Sequence, residues 1–304
     1  MNVKRLFLLA TLFVAVSAGM AAQDGGRVAL PFSRIDRSPR TSAFAGAGMA
    51  SLTDVGAFQA FRGAAALPFQ QGMFDAGIGI QMWEPSNEVD KTTNFQGGVA
   101  LHMGNFGVAL GGAYQSGVAA GKFTPSDRLV GLGLAYGIGK RFSLGVNARY
   151  AAQSLSKDIT LKGFSADLTL LALITKELSA TVGVSTLGTQ VKGSDDTPYT
   201  QPSYALAALA WRHGFGESHA VEMVLDGEYN FDGSLAGALG AEYAFRSLLY
   251  VRAGYRLAGK TAILPSHLAL GIGVHYSGFK ADISFLTASA ILKNTINFGI
   301  GYSF

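Results

Sequence analysis

The feature that most constrains this chain is an alternation of apolar with small or polar residues from about Gly72 to the C-terminus. In 142–150, Phe, Leu, Val, Ala and Tyr occupy every second position, and Ser, Gly, Asn and Arg lie between them. Successive side chains of a strand point to opposite faces, so the pattern predicts strands with one apolar face. Fourteen segments follow it: 74–82, 94–103, 105–115, 127–138, 142–150, 163–175, 177–187, 203–212, 219–229, 235–245, 249–257, 266–276, 279–285 and 294–304.

The connections between these segments alternate between two lengths. One set, with members near Gly104, Gly139, Lys176, Arg246 and Ser277, consists mostly of two or three residues, whereas the other set is mostly eight to fifteen residues long. Bacterial outer-membrane barrels have short periplasmic turns and longer outer loops. The alternation and the loop lengths together predict an all-β membrane protein, a 14-stranded antiparallel transmembrane β-barrel.

The composition favours the same architecture. Hydrophobic residues make up 49% of the chain and charged residues 14%, against about 25% charged residues in ordinary soluble domains. Beyond the first 25 residues, no apolar run approaches the roughly 20 residues that a membrane-spanning helix needs. A closed barrel is the other architecture that satisfies every backbone polar group in lipid.

The N-terminus is typical of an exported protein. Lys4 and Arg5 precede the apolar run 6–16, and small residues follow through Ala22, which predicts a signal peptide over 1–22 and a mature barrel over 72–304. The formal net charge of +4 falls by two when the signal is removed, and no basic tract is present. Nucleic acid is therefore not an expected partner.

The final eight residues resemble the closing strand of bacterial outer-membrane barrels. Asn297, Gly299, Tyr302 and Phe304 form the expected assembly signal: a polar residue, a glycine, and two aromatic residues spaced by one. With Phe304 at the periplasmic rim, both termini are expected on the periplasmic side. The barrel-assembly machinery is then an expected partner during biogenesis.

Groups that carry chemistry are scarce. The chain contains no cysteine, which excludes a lipoprotein, thiol catalysis and cysteine-based metal sites. The histidines are scattered over different segments without the spacing of metal ligands: His102, His213, His219, His267 and His275. The sequence therefore predicts neither an enzyme nor a cofactor.

Residues 23–71 lack the alternation and are rich in small residues. Alanine-rich stretches favour helices, so we expect short helices over 41–52 and 54–61, with Asp54 capping the second. Fourteen strands enclose a lumen too wide for their own side chains to fill, so 23–71 is interpreted as a plug. The residues that characterise this plug are Arg34, Arg37, Arg40, Gly46, Gly48, Asp54 and Arg62.

Inward-facing positions of the later strands are unusually rich in charge. Unpaired charges in a confined lumen are costly, so we expect plug arginines to meet Glu222, Asp226 or Glu242. The alternative is a water-filled polar lumen without ordered pairing. The full cluster comprises Glu222, Asp226, Glu228, Glu242, Arg252, Arg256, Lys280 and Asp282.

Several segments resemble one family of bacterial barrels. Residues 42–55, Ser-Ala-Phe-Ala-Gly-Ala-Gly-Met-Ala-Ser-Leu-Thr-Asp-Val, resemble the glycine-rich plug motif of the PorV/PorQ family of FadL-like outer-membrane proteins. Residues 240–244, 251–256 and 269–274 are similar to late strands of that family. The resemblance implies fourteen strands around an N-terminal plug. It departs at 62–64, where Arg-Gly-Ala replaces the usual Asn-Pro-Ala.

The resemblance implies two functions. PorV and PorQ act in type IX secretion, so the first hypothesis is a non-enzymatic barrel that acts through other envelope or secreted proteins. The alternative is a FadL-like channel for uptake of hydrophobic small molecules. Inward Gly, Ser, Arg, Glu and Asp residues in the late strands favour the first, because a channel would need an apolar pocket near the outer loops. Outer-membrane lipid and lipopolysaccharide are expected partners in both cases.

Overall fold

The computed structural model describes residues 28–83, 92–117, 123–193, 197–289 and 292–304, and the expected signal peptide lies outside them. In these residues fourteen antiparallel strands form one closed barrel. The barrel strands are β1 (Phe74–Trp83), β2 (Thr92–Met103), β3 (Phe106–Ser116), β4 (Ser126–Ile138), β5 (Phe142–Ser154), β6 (Thr160–Leu173), β7 (Leu178–Gly188), β10 (Tyr204–Phe215), β11 (His219–Asn230), β12 (Leu235–Phe245), β13 (Leu249–Ala258), β14 (His267–Tyr276), β15 (Phe279–Thr287) and β16 (Thr295–Ser303). A separate hairpin, β8 (Val191–Lys192) and β9 (Pro198–Tyr199), lies in the loop between β7 and β10.

Every segment predicted from the alternation corresponds to a barrel strand, and the predicted fold class is confirmed. The C-terminal strand closes the barrel, because Ile300 of β16 pairs with Ile78 of β1. The hairpin β8–β9 was not expected, since two-residue strands carry no readable periodicity. Among the described residues, no helix is long and apolar enough to cross a membrane.

The outer face of the barrel is apolar, as the alternation requires. Side chains such as Ile78 and Leu225 are more than half exposed, at 61% and 54%. Aromatic pairs lie near the short turns, where Phe106 packs on Tyr136 and Phe279 packs on Tyr302, each pair with ring centroids 4.8 Å apart. Aromatic girdles of this kind mark the edges of the lipid-facing band of membrane barrels.

Residues 28–72 lie inside the barrel and form a compact plug. Its regular structure is limited to a one-turn helix, α1 (Pro39–Ser42), and 3-10 helices at Pro31–Arg34, Ala57–Ala60 and Ala64–Phe69. Of the expected helices, the one over 41–52 is wrong beyond Ser42, where α1 ends, and the one over 54–61 is reduced to the 3-10 helix Ala57–Ala60. A left-handed backbone at Ala45, Gly46 and Gly48 ends the first, and Asp54 has a φ of 57° and caps no helix.

The plug touches the wall through its backbone, where glycines face inward. A Cβ atom added at Gly254 would lie 2.3 Å from the carbonyl carbon of Phe44, and one added at Gly145 would lie 2.2 Å from the Ala65 nitrogen. Neither position tolerates a side chain, because real Cβ atoms do not approach backbone so closely. Phe44, against Gly254, and Leu67, against Gly107, are completely buried. The wall and the plug therefore form one packed unit.

Candidate functional site

Arg40 of the plug joins two carboxylates that face each other on neighbouring strands. Glu222 of β11 and Glu242 of β12 are directly paired in register. Arg40 donates from Nη2 to Glu222 at 2.8 Å and from Nε to Glu242 at 3.0 Å, and all three side chains are buried. Arg252 donates to the same Glu242 at 2.7 Å. The expected contact between a plug arginine and these carboxylates is confirmed.

The neighbouring carboxylates hold the plug in two other ways. Glu228 lies between Arg34 of the plug, at 2.6 Å, and Arg256 of β13. Asp226 forms no ion pair with a described arginine and instead accepts the backbone N–H groups of Gly48 and Met49, each at 3.0 Å. The glycine-rich turn of the plug is thus fixed by hydrogen bonds to a carboxylate on the wall.

A third group of charges lies toward the short-turn end of the barrel. Lys280 of β15 forms ion pairs with Asp54 of the plug and with Asp75 of β1. Burial favours protonated Asp54, but the Lys280 ammonium outweighs it and lowers the pKa of Asp54 to about 2. Asp282 pairs with Arg252 and His275. Asp54, His275 and Asp282 could offer ligand atoms to a metal ion, but Lys280 and Arg252 already compensate both carboxylates.

Two further ion pairs were not identified from the sequence. Arg149 of β5 pairs with Asp167 of β6, which also accepts from Ser185 and from the backbone of Thr186, each at 2.7 Å. The alternation in β5 predicts that Arg149 faces inward. It does not predict Asp167 as its partner, because the pairing register of β6 and β7 shifts around Asp167. Within the plug, Arg62 donates to Asp36 at 2.8 Å and to the carbonyl oxygens of Gly46 and Ala47.

The residues of the expected C-terminal signal lie at two levels of β16. Asn297 donates to Ser42 of the plug at 3.0 Å, and Gly299 faces Pro39 so closely that an added Cβ would lie 2.7 Å from its Cγ. The rings of Tyr302 and Phe304 belong to the aromatic girdle. Their function as an assembly signal stays a prediction.

Arg37 differs from the other plug arginines because no carboxylate in the described part of the chain forms an ion pair with it. It is buried, with an exposed fraction of 1%, and donates one bond, to the carbonyl oxygen of Phe32. Its Nε and Nη1 atoms find no acceptor among the described residues. Burial lowers the pKa of Arg37 to about 10, although Asp127 and Asp36 oppose this shift.

We expect Arg37→Met to leave the free energy of unfolding unchanged or to raise it by about 1 kcal/mol, because a buried charge with few partners is replaced by an apolar chain. The matched variant Arg34→Met should lose about 3 kcal/mol, because it leaves Glu228 with one partner fewer. Guanidinium titration in detergent micelles measures both. Equal losses in the two variants would show that this account of Arg37 is wrong.

Three cavities lie along the side of the plug. The first, about 440 Å³, opens among the long loops. Its lining combines apolar residues (Phe32, Ile35, Ile263, Leu264 and Leu292) with polar ones that include Asp36, Asn94, Asp127, Gln153 and His267. The third, about 410 Å³, lies at the short-turn end beside polar groups of the Lys280 region. Between them is a space of only about 60 Å³ next to β16. It is lined by Pro39, Arg40, Asp54, Phe58, Lys280 and Gly299, among others.

The chain is similar in fold to bacterial hydrocarbon channels. It aligns with the Ralstonia pickettii toluene transporter TbuX at 13% identity, TM-score 0.62, covering 89% of this chain and 98% of that one. The monoaromatic hydrocarbon channel CymD aligns at 15% identity and TM-score 0.61, with the same coverage. A Pseudomonas aeruginosa FadL homologue aligns at 11% identity and TM-score 0.55, covering 88% and 98%. No family model and no curated protein matches the chain.

Proposed function

We propose that this protein is a plugged outer-membrane channel for small apolar molecules, of the monoaromatic hydrocarbon class. The observation that carries the proposal is the cavity of about 440 Å³ among the long loops, which opens above the plug and to which plug and loops contribute large apolar side chains. Binding sites for small apolar ligands are concave and mostly apolar, with few polar groups. The solved structures with the same fold include channels for toluene and other monoaromatic hydrocarbons.

The alternative raised from the sequence is thus preferred over type IX secretion. The inward positions of the late strands hold glycine, serine and charged residues, which do not form an apolar pocket. The apolar lining is instead supplied by the plug, through Phe32 and Ile35, and by the loops, through Ile263, Leu264 and Leu292. The similarity to solved structures supports FadL-like barrels and leaves the PorV/PorQ assignment unconfirmed.

The apolar outer face and the aromatic pairs at the short turns support placement in a membrane. In that placement the long loops face outward and Phe304 faces the periplasm. Val28, the first described residue, bridges Thr200 in the long loop between β7 and β10, so the described chain starts at the outer end of the barrel. An apolar molecule would enter the outer cavity first. The narrow space beside Pro39 and Gly299 then blocks its path. Passage therefore requires helix α1 to move away from β16.

An uptake assay tests the proposal. Cells that lack another uptake route and express the protein should accumulate radiolabelled toluene faster than cells carrying an empty vector. Ile35→Asp should reduce this uptake severalfold, because it places a charge in the apolar cavity, at a cost of a few kcal/mol. Leu155→Asp is the matched control, since Leu155 is 48% exposed on another loop. Uptake equal to the empty vector, with folded protein in the membrane, would refute the proposal.

A further inference from the structure

The outer face of the barrel carries an isolated pair of charges. Among the outward-pointing residues that the structure describes in the fourteen barrel strands, only Arg128 of β4 and Lys162 of β6 are Arg, Lys, Asp or Glu. Both are exposed, and neither forms an ion pair with a described residue. Ala152 of β5 pairs with Arg128 on one side and with Lys162 on the other. The two cations therefore share one row, with Cα atoms about 10 Å apart.

This row lies at the edge of the apolar band on the side of the long loops. The next outward row toward the loops is polar, with Ser126, Ser154 and Thr160. The next row toward the middle of the barrel contains Tyr150 and Phe164, whose ring centroids are 5.0 Å apart. Charges are costly at the centre of the lipid face of a barrel and tolerated near its edge, so this row is at headgroup depth.

An apolar groove of about 810 Å³ begins beside Arg128 and runs along the outer face. Its floor is the pair Gly97 of β2 and Gly112 of β3, which lie opposite each other. Phe95, Tyr114 and Val130 are among the residues that line it. A Cβ atom added at Gly112 would meet nothing nearer than the Leu129 carbonyl oxygen at 4.0 Å. Packing within the protein therefore does not require a glycine there.

We propose that this surface binds a phosphorylated lipid of the outer leaflet, with a phosphate held between Arg128 and Lys162 and an acyl chain in the groove over Gly97 and Gly112. The two cations favour an anionic headgroup, and the groove favours an acyl chain. A free phosphate would contact only the cations, and a neutral lipid would bind only in the groove. The proposal rests on the membrane placement given above and not on hydrocarbon transport.

The test uses full-length protein in neutral detergent, with lipid A as the probe and native mass spectrometry as the readout of binding. Arg128→Ala combined with Lys162→Ala should weaken lipid A binding about thirtyfold, since each basic residue near an anionic surface contributes about fivefold. The matched control, Lys140→Ala with Arg141→Ala, removes two exposed cations at the opposite end of the barrel and should leave binding unchanged.

Gly112→Leu should also weaken lipid A binding, because its side chain occupies the groove from a position where an added Cβ meets nothing nearer than 4.0 Å. Inorganic phosphate should bind far more weakly than lipid A to every form. Heat-dependent gel migration verifies that each variant is folded. Lipid A binding by the Arg128/Lys162 variant within twofold of wild type would overturn the proposal, as would unchanged binding by Gly112→Leu. Toluene uptake is measured on the same variants. It reports on transport independently of lipid A binding, so a failure of the lipid proposal can be told apart from a failure of the transport function.

Discussion

Arg40→Ala should loosen the contact between the plug and the barrel wall and let ions pass through the barrel. The substitution leaves Glu222 and Glu242 buried and directly opposite each other, with one arginine fewer between them. Removing one partner from a buried charge network costs about 3 to 5 kcal/mol, and like charges opposite each other on neighbouring strands repel. Planar-bilayer recordings should show a higher and noisier ion conductance than wild type, and guanidinium titration should show the loss of stability.

Two variants control for this prediction. Arg141→Ala removes an exposed arginine from a short turn and should change neither conductance nor stability. Arg40→Met combined with Glu222→Gln should recover much of the loss, because Glu242 keeps Arg252 and no second carboxylate remains to be compensated. If Arg40→Ala conducts and unfolds like wild type, Arg40 does not fasten the plug.

Gly254→Val should be more damaging still, because it acts on the contact between plug backbone and wall. A Cβ atom at this position would lie 2.3 Å from the carbonyl carbon of Phe44, and Phe44 itself is completely buried. Neither the strand nor the plug can move locally, so we expect a loss of at least about 3 kcal/mol and a low folded yield. Heat-dependent gel migration after refolding in increasing urea measures the folded fraction.

Gly227→Val is the matched control for this substitution. Gly227 lies on the neighbouring part of the barrel but faces outward, and an added Cβ would meet nothing nearer than the Ala207 carbonyl oxygen at 3.8 Å. It should fold with nearly wild-type yield, since valine favours strands. Equal yields for the two variants would contradict the described packing of the plug.

The barrel could be predicted from the sequence because strand periodicity is a local property. A residue such as Phe298 or Ile300 shows its outward position by parity alone. The contact of a plug arginine with Glu222 or Glu242 was also predictable, from inward parity and the cost of unpaired buried charge, but the sequence did not identify Arg40 as that arginine. In both cases a short-range pattern determined the long-range arrangement.

The plug conformation and the apolar cavity could not be predicted in the same way. The expected helix over 41–52 does not continue beyond Ser42 because the backbone at Gly46 and Gly48 has positive φ, with the Gly48 N–H bonded to Asp226, against the helix propensity of alanine. The cavity brings Phe32 and Ile35 of the plug to Leu264 and Leu292 of distant loops. No local pattern records a site assembled from segments so far apart in the chain.

The most direct test of the account is to lock the plug against β16. The native chain has no cysteine, and the Ser42 hydroxyl lies 3.0 Å from Nδ2 of Asn297, so Ser42→Cys with Asn297→Cys places two thiols at this contact. We predict that toluene uptake falls to background when the disulfide forms and returns when it is reduced. Uptake by fully cross-linked protein at the rate of the reduced protein would contradict the claim that passage requires the plug to move.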